Sequence, residues 1–316
     1  MFSNSKIINI SINPTYLCNF RCRFCYLSLD QLKSKKTIDL EKLHFCLREI
    51  QAYKKIGHVD LYGGEILLLD QHYAQQMVDI IYKYTDQRIN LITNLSMWND
   101  YFLSGEFEIS VSFDYFAREK FELVYKNMSL LGFEFSVLIL ASKEVVHMSD
   151  KQLDEFIGLL NSLSFLKSVE IKPFSRSSFN YHSYVPDEEF EEFVKRWILK
   201  REQFKFDFVN EIKLKAVCSK SLSAWSDDHL YINPDGRLVV LDFNDKNDEF
   251  FLELENVDSY IAWGEAEKAR TFKNEACSQC SFLGHCLSEH LRPVHNSEAS
   301  CNGYRNLINW YQHERL

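Results

Sequence analysis

Short apolar runs of strand length alternate with segments of helical periodicity along the first two thirds of this 316-residue chain, and that alternation limits the fold most. Residues 7–12 (Ile-Ile-Asn-Ile-Ser-Ile) read as a strand. Leu40, Leu43, Leu47 and Ile50 mark a helix over 38–55, after the possible cap Thr37. A strand near 58–62 runs into Gly63-Gly64-Glu65, and a helix follows with Tyr73, Met77, Ile80, Ile81 and Tyr84 on one face. Strands over 88–93 and 108–113 end at Thr93-Asn94 and Phe113-Asp114. A helix near 117–130, a strand near 134–140, a helix at 149–163 and a strand at 168–173 come next. Phe190, Phe193, Val194, Trp197 and Ile198 then mark a helix near 187–202. Read as six strand–helix units, although no helix is marked between the strands at 88–93 and 108–113, the pattern predicts an α/β fold with a parallel sheet and right-handed crossovers. Six units fall short of the eight of a closed barrel, so an open, partial (β/α)6 barrel is expected.

The organisation changes after about residue 205. Residues 229–241 predict a hairpin with Pro234-Asp235-Gly236 as its turn. A short helix around 260–270 follows, and Tyr304, Leu307, Ile308 and Tyr311 mark a closing helix over 303–313. The expected division is a core over 1–205 and a small α+β unit over 206–316, packed together without a low-complexity linker.

Composition narrows the function classes. With 46% apolar and 26% charged residues, and only 10 Gly and 5 Pro, a packed core is expected. A net charge of −9 argues against a nucleic-acid partner, since phosphates favour basic surfaces. No apolar run reaches the roughly 18 residues of a membrane span, and Asn9 and Ser11 break the short run at the N-terminus. A soluble, cytoplasmic protein without membrane contact is the expectation.

Seven of the nine cysteines fall in two groups, Cys18, Cys22 and Cys25 near the start and Cys277, Cys280, Cys286 and Cys301 near the end. Grouped thiols read as metal or iron–sulfur ligands before they read as disulfides. Cys18-x3-Cys22-x2-Cys25 follows the first strand, where a barrel of this kind carries its active-site loops. Three thiolates can hold a 4Fe–4S cube and leave one iron open, whereas structural zinc takes four ligands.

This spacing, followed by Tyr26, resembles the signature of the radical S-adenosylmethionine (SAM) superfamily. The resemblance implies that the open iron chelates SAM and that electron transfer yields a 5′-deoxyadenosyl radical. It implies further that Gly63, Gly64 and Glu65 contact the SAM amino group, glycine permitting close backbone approach. By the same analogy Thr93, Asn94, Ser112 and Asp114 hold the SAM carboxylate and ribose, and Lys172-Pro173-Phe174 borders the adenine. The family's glycine-rich motif on the fifth strand is absent, and Leu138 to Ala141 offer apolar packing there.

The second group, Cys277-x2-Cys280-x5-Cys286 with Cys301 downstream, resembles the SPASM or shorter twitch domains that carry auxiliary 4Fe–4S clusters. Four cysteines complete the ligand set of one such cluster, and the alternative for the same residues is a zinc site. Leu241 and His290 stand where the two-cluster pattern has cysteines, so a single auxiliary cluster is expected. Cys218 is then either a buried thiol or one facing the cavity as a hydrogen-atom donor, and Cys46 a core residue.

Enzymes of this layout modify ribosomally made peptides, by crosslinking or epimerisation, with a flavodoxin or ferredoxin as electron donor. A small metabolite is the alternative substrate, and a zinc-binding interaction platform the non-enzymatic alternative. No extra recognition domain precedes residue 7, which directs recognition of a precursor peptide to the barrel, the C-terminal unit or a separate protein. Arg176, Tyr181 and His182, in the polar-aromatic stretch 174–185 after the sixth strand, are candidate substrate contacts.

Overall fold

The computed structural model describes residues 6–175, 177–222, 229–241, 251–287, 301 and 303–315. The first half contains β1 (Ile7–Ile12), α1 (Leu40–Tyr53), β2 (Lys55–Leu61), α2 (Gln71–Ile81), β3 (Asn90–Thr93), β4 (Glu108–Ser112), α3 (Phe121–Leu130) and β5 (Phe135–Leu140). There follow α4 (Lys143–Val146), α5 (Asp150–Asn161), β6 (Leu166–Lys172), α6 (Asp187–Leu199), β7 (Asp207–Phe208) and α7 (Val209–Cys218). The C-terminal part adds β8 (His229–Ile232), β9 (Leu238–Leu241), β10 (Phe251–Leu254), α8 (Val257–Lys273), α9 (Glu275–Ser278) and α10 (Arg305–Glu314).

Among the described residues one ten-stranded sheet runs β10-β9-β8-β1-β2-β3-β4-β5-β6-β7, and its strands from β8 through β1 to β7 are parallel neighbours. This is the expected open parallel sheet. The helix starts follow from local chemistry: Asp39 caps α1 by accepting from Glu41 and Lys42 backbone N–H groups, and Ser149 opens α5 with a capping box to Gln152. Thr37, the expected cap of α1, instead forms an isolated bridge with Thr15. The β3–β4 connection has no α-helix. Turn-forming Asn99 and Gly105 shape it, and Phe102, Leu103 and Phe107 bury their side chains beneath it.

Strand alternation sorts the side chains into two populations. Ile8, Ile10 and Ile12, Val59 and Leu61, Ile109 and Val111, Val137 and Ile139, and Val169 and Ile171 are buried in the hydrophobic core. The intervening residues are largely polar: Ser11, Asp60 and Asn90 are successive cross-strand partners, as are Ser110, Ser136 and Ser168, and Ser110 Oγ bonds to the Asn90 side chain (3.0 Å). Parallel sheets covered on both faces are usually apolar on both. A polar second face is what an open barrel with a site inside it requires.

The hairpin forms as predicted, with Gly236 in left-handed backbone (φ +70) and the Asn233 side chain accepting from Asp235 and Arg237 N–H groups. It does not stand apart from the core. β8 pairs in parallel with β1, so the hairpin and β10 extend the barrel sheet past its first strand. Beyond residue 205, β7 pairs with β6 and α7 packs on it, while α10 docks against α6 and α7.

Candidate active site

The chain leaves β1 and carries Cys18, Cys22 and Cys25 along the rim of the sheet. Gly63-Gly64-Glu65, at the end of β2, is bonded to the start of this loop: Gly64 N–H donates to Thr15 O (3.0 Å) and Glu65 N–H to Leu17 O (2.8 Å). A Cβ on Gly64 would lie 2.1 Å from Leu17 O and 2.4 Å from Tyr16 O, and Gly63 adopts φ +150. The glycines therefore admit the backbone of the cysteine loop itself.

A cavity of about 360 Å³ opens beside this loop. Cys18, Cys22, Cys25, Tyr26, Gly63, Gly64, Thr93, Asn94, Ser112, Asp114 and Lys172 all line it, although they come from five separate strand ends and loops. Leu138, Leu140 and Pro173 form an apolar part of the wall, so the β5 stretch that lacks glycines does face the site. Leu241, standing where the two-cluster pattern has a cysteine, also lines it.

Glu65 is not on the wall. It is wholly buried, and its carboxylate accepts from Thr93 Oγ1 (2.6 Å), Leu67 N–H (3.0 Å) and Asn94 N–H (2.7 Å). Burial pushes its carboxyl pKa up, and these bonds pull against that rise. Its observed contacts tie the end of β3 to the Gly-Gly turn. Asn94 Nδ2 in turn approaches Cys18 Sγ (3.8 Å) and donates to Asn19 Oδ1 (3.1 Å).

The Asp114 carboxylate is also engaged. It accepts from the Leu140 N–H and takes two bonds from the Arg118 guanidinium, the Nε bond being 2.9 Å. Arg118 was not singled out from the sequence, yet its side chain is only 9% exposed, lines the cavity, and points Nη1 at Cys22 Sγ (3.9 Å). Burial alone would depress its pKa, but Asp114 and then Cys22 raise it. Its only early signal is the i, i+4 spacing from Asp114 after a strand end.

Lys172 is paired with Glu170 (3.0 Å), which also binds Lys213 (2.6 Å). The Tyr26 hydroxyl is buried on a half-buried side chain, and desolvation pushes the phenol well above its usual range, with Tyr62 and Tyr16 adding to the rise.

The three thiols suit a cluster that displaces their protons. Burial raises all three, Cys25 to about 11, so metal must replace the proton to make them thiolates. Arg118 and Asn94 supply donors toward the resulting sulfur charge. No three described His, Cys, Asp or Glu side chains gather at single-ion spacing. The donor chemistry fits an iron–sulfur cube, with adjacent space for a chelating small molecule.

The C-terminal cysteines also lie near one another. A Cβ on Gly303 would fall 2.9 Å from Cys286 Sγ and 3.8 Å from Cys301 Sγ. Cys277 is raised to about 11 by burial first, then by the nearby Cys301, Cys286 and Cys280. Asn274 caps the short α9 by accepting from Cys277 N–H, and Cys280 N–H donates to Cys277 O. Four neighbouring thiols are a donor set of the kind that a fully ligated cube takes.

Other expectations are not brought to the site. Cys218 closes α7, away from the cavity wall, and packs against the core; this placement does not support it as a donor facing the cavity. Tyr181 is 68% exposed and His182 is exposed, and neither lines the cavity. Arg176 and His290 lie outside the described residues. Asn180, overlooked in the same loop, donates from Nδ2 to Phe24 O (3.0 Å) and Ser175 O (2.9 Å), pinning the loop to the cysteine segment.

No family model matches the sequence, and no curated protein matches it. Solved structures do match its fold. The chain superposes on anSMEcpe with bound AdoMet with a TM-score of 0.70 at 15% identity, covering 97% of each chain. It superposes on Streptococcus suis SuiB bound to precursor peptide SuiA with a TM-score of 0.63 at 13% identity, covering 89% of this chain and 71% of that one. With three cysteines on the loop after β1 and the open parallel sheet around one cavity, this chain has the fold of the radical SAM enzymes.

Proposed function

We propose that this chain is a radical SAM enzyme that modifies a ribosomally synthesised peptide. The observation that carries the reading is the single cavity on which Cys18, Cys22 and Cys25 meet the ends of β2, β3 and β4. With a 4Fe–4S cluster and SAM bound, the site would have a source of 5′-deoxyadenosyl radical.

The protein's own part is to bind, orient and exclude water. Cys18, Cys22 and Cys25 ligate the cluster, and Arg118 and Asn94 lie beside two of the sulfurs. Gly63, Gly64, Thr93, Asn94, Ser112 and Asp114 border the space for SAM, and Leu138, Leu140 and Pro173 keep one wall dry. Cys277, Cys280, Cys286 and Cys301 hold one auxiliary 4Fe–4S cluster in this reading, within a C-terminal unit over 206–316 that follows a radical SAM core over 1–205.

A peptide substrate is supported by the neighbours, since SuiB was solved with its precursor peptide SuiA and anSMEcpe with a Cp18Cys peptide. No helix among the described residues is long and apolar enough to cross a membrane. A flavodoxin or ferredoxin donor in a reducing cytoplasm completes the proposal. The test is anaerobic incubation of the reconstituted protein with SAM and dithionite. Accumulation of 5′-deoxyadenosine and methionine is the expected result, and intact SAM after many hours would overturn the reading.

A further inference from the structure

The polar face of the sheet holds a chain of hydrogen bonds that the cluster and SAM do not account for. His229 on β8 lines the cavity, and its Nε2 lies 2.6 Å from Ser11 Oγ on β1. Ser11 Oγ also donates to Asp60 Oδ2 on β2, a longer bond of 3.4 Å. Asp60 Oδ1 is 2.8 Å from His58 Nε2 and accepts from Asn90 Nδ2 at 2.6 Å. The Asn90 amide is fixed in turn by a bond from Ser110 Oγ to its Oδ1 (3.0 Å). The far end reaches water, since the His58 side chain is 43% exposed whereas Asp60 is 15% exposed.

The geometry points to a proton relay: His229 accepts a proton from substrate held in the cavity, and Ser11, Asp60 and His58 carry it to solvent. The inference rests on the proposed function and narrows it to net oxidation. When a heteroatom is joined to a carbon, one X–H and one C–H bond break and one X–C bond forms. A hydrogen atom is taken by the radical, an electron by an oxidised iron–sulfur acceptor, and the remaining proton must go to a base. Epimerisation, which returns a hydrogen atom to the same carbon, releases no proton and needs no such path.

The groups facing the chain suit this role. Burial pushes the Asp60 carboxyl up, but the His58 contact, the Asn90 bond and nearby His229 outweigh it and leave its pKa lowered. The Asp60 bond holds the His58 pKa above its ordinary value, burial opposing and Glu108 helping. Tyr231 packs on His229 with ring centroids 4.7 Å apart, and Tyr62 stands 6.1 Å from Tyr231. Asp60 thus stays an acceptor at neutral pH, and a proton reaching it passes to an imidazole open to water. His229 is the proton acceptor here; Ser11, Asp60 and His58 act through it.

The test needs no cofactor. In apo protein labelled with 15N-histidine, the exchange of the His229 ring proton with water is measured by NMR. Ser11→Ala and Asp60→Asn should each slow it by about 100-fold, the scale of assisted proton transfer, and Ser11→Thr should restore it. Unchanged exchange in both variants would overturn the relay, because His229 would then equilibrate with water directly. In the loaded enzyme, His229→Gln should lower the yield of modified peptide per 5′-deoxyadenosine by about 100-fold. A wild type that produces no 5′-deoxyadenosine would sink the proposed function while leaving the exchange result to judge the relay by itself.

Discussion

Gly64→Ala is expected to destabilise the protein by about 3 kcal/mol, the upper part of the usual overpacking range, and to prevent cluster assembly on the first three cysteines. The added methyl would meet the carbonyl oxygens of Leu17 at 2.1 Å and Tyr16 at 2.4 Å. Both are backbone atoms, so no rotamer change can relieve the clash. The cysteine loop must move, breaking the bonds from Gly64 to Thr15 and from Glu65 to Leu17. About 3 kcal/mol is a large share of the 5–15 kcal/mol that holds a typical domain folded. Urea unfolding together with iron content after reconstitution checks this. A variant within about 0.5 kcal/mol of wild type, as for an ordinary surface change, would show that the Gly-Gly turn is not packed on the loop.

Arg118→Ala is expected to cost about 3–5 kcal/mol, because it leaves the Asp114 carboxylate buried without its counter-charge. Asp114 is completely buried, and its remaining partner would be the Leu140 N–H. The variant also removes the donor beside Cys22 Sγ and the cation over the Phe24 ring. Replacing the pair together, as Asp114→Leu with Arg118→Met, should recover much of the stability, since apolar substitutes for buried ion pairs are often neutral. It should not recover SAM cleavage, because the cationic donor beside the cluster is still missing. Equal stability losses in the single and double variants, measured by denaturant unfolding, would contradict this assignment.

The parts of the site that were legible in the sequence are those with fixed local spacing. Cys18, Cys22 and Cys25 lie within one loop, and Gly63, Thr93 and Ser112 each end a strand whose period was already visible. Arg118 was hidden because only one of its partners is local: Asp114 is four residues earlier, but Cys22 is 96 residues earlier. The relay residues were hidden for a different reason. Ser11, Asp60 and His229 come from three strands, and the parallel joining of β8 to β1 spans more than two hundred residues. A signal was nonetheless present. Ser110 and Ser112 alternate with Ile109 and Val111, and Ser168, Glu170 and Lys172 alternate with Val169 and Ile171. That period of two marks a polar face where a fully covered parallel strand would be apolar. β10 and α7 were not legible, because a four-residue edge strand of mixed polarity and a ten-residue helix with weak amphipathic contrast carry little pattern.

Radical SAM chemistry in this chain requires that the first three cysteines hold iron. Iron and acid-labile sulfide should be counted after anaerobic reconstitution, in the wild type and in a variant with Cys18, Cys22 and Cys25 all changed to Ala. About eight irons per chain falling to about four is the predicted result, one cube lost and the auxiliary one kept. Zinc without iron in the wild type, or an iron count that the triple variant leaves unchanged, would contradict it.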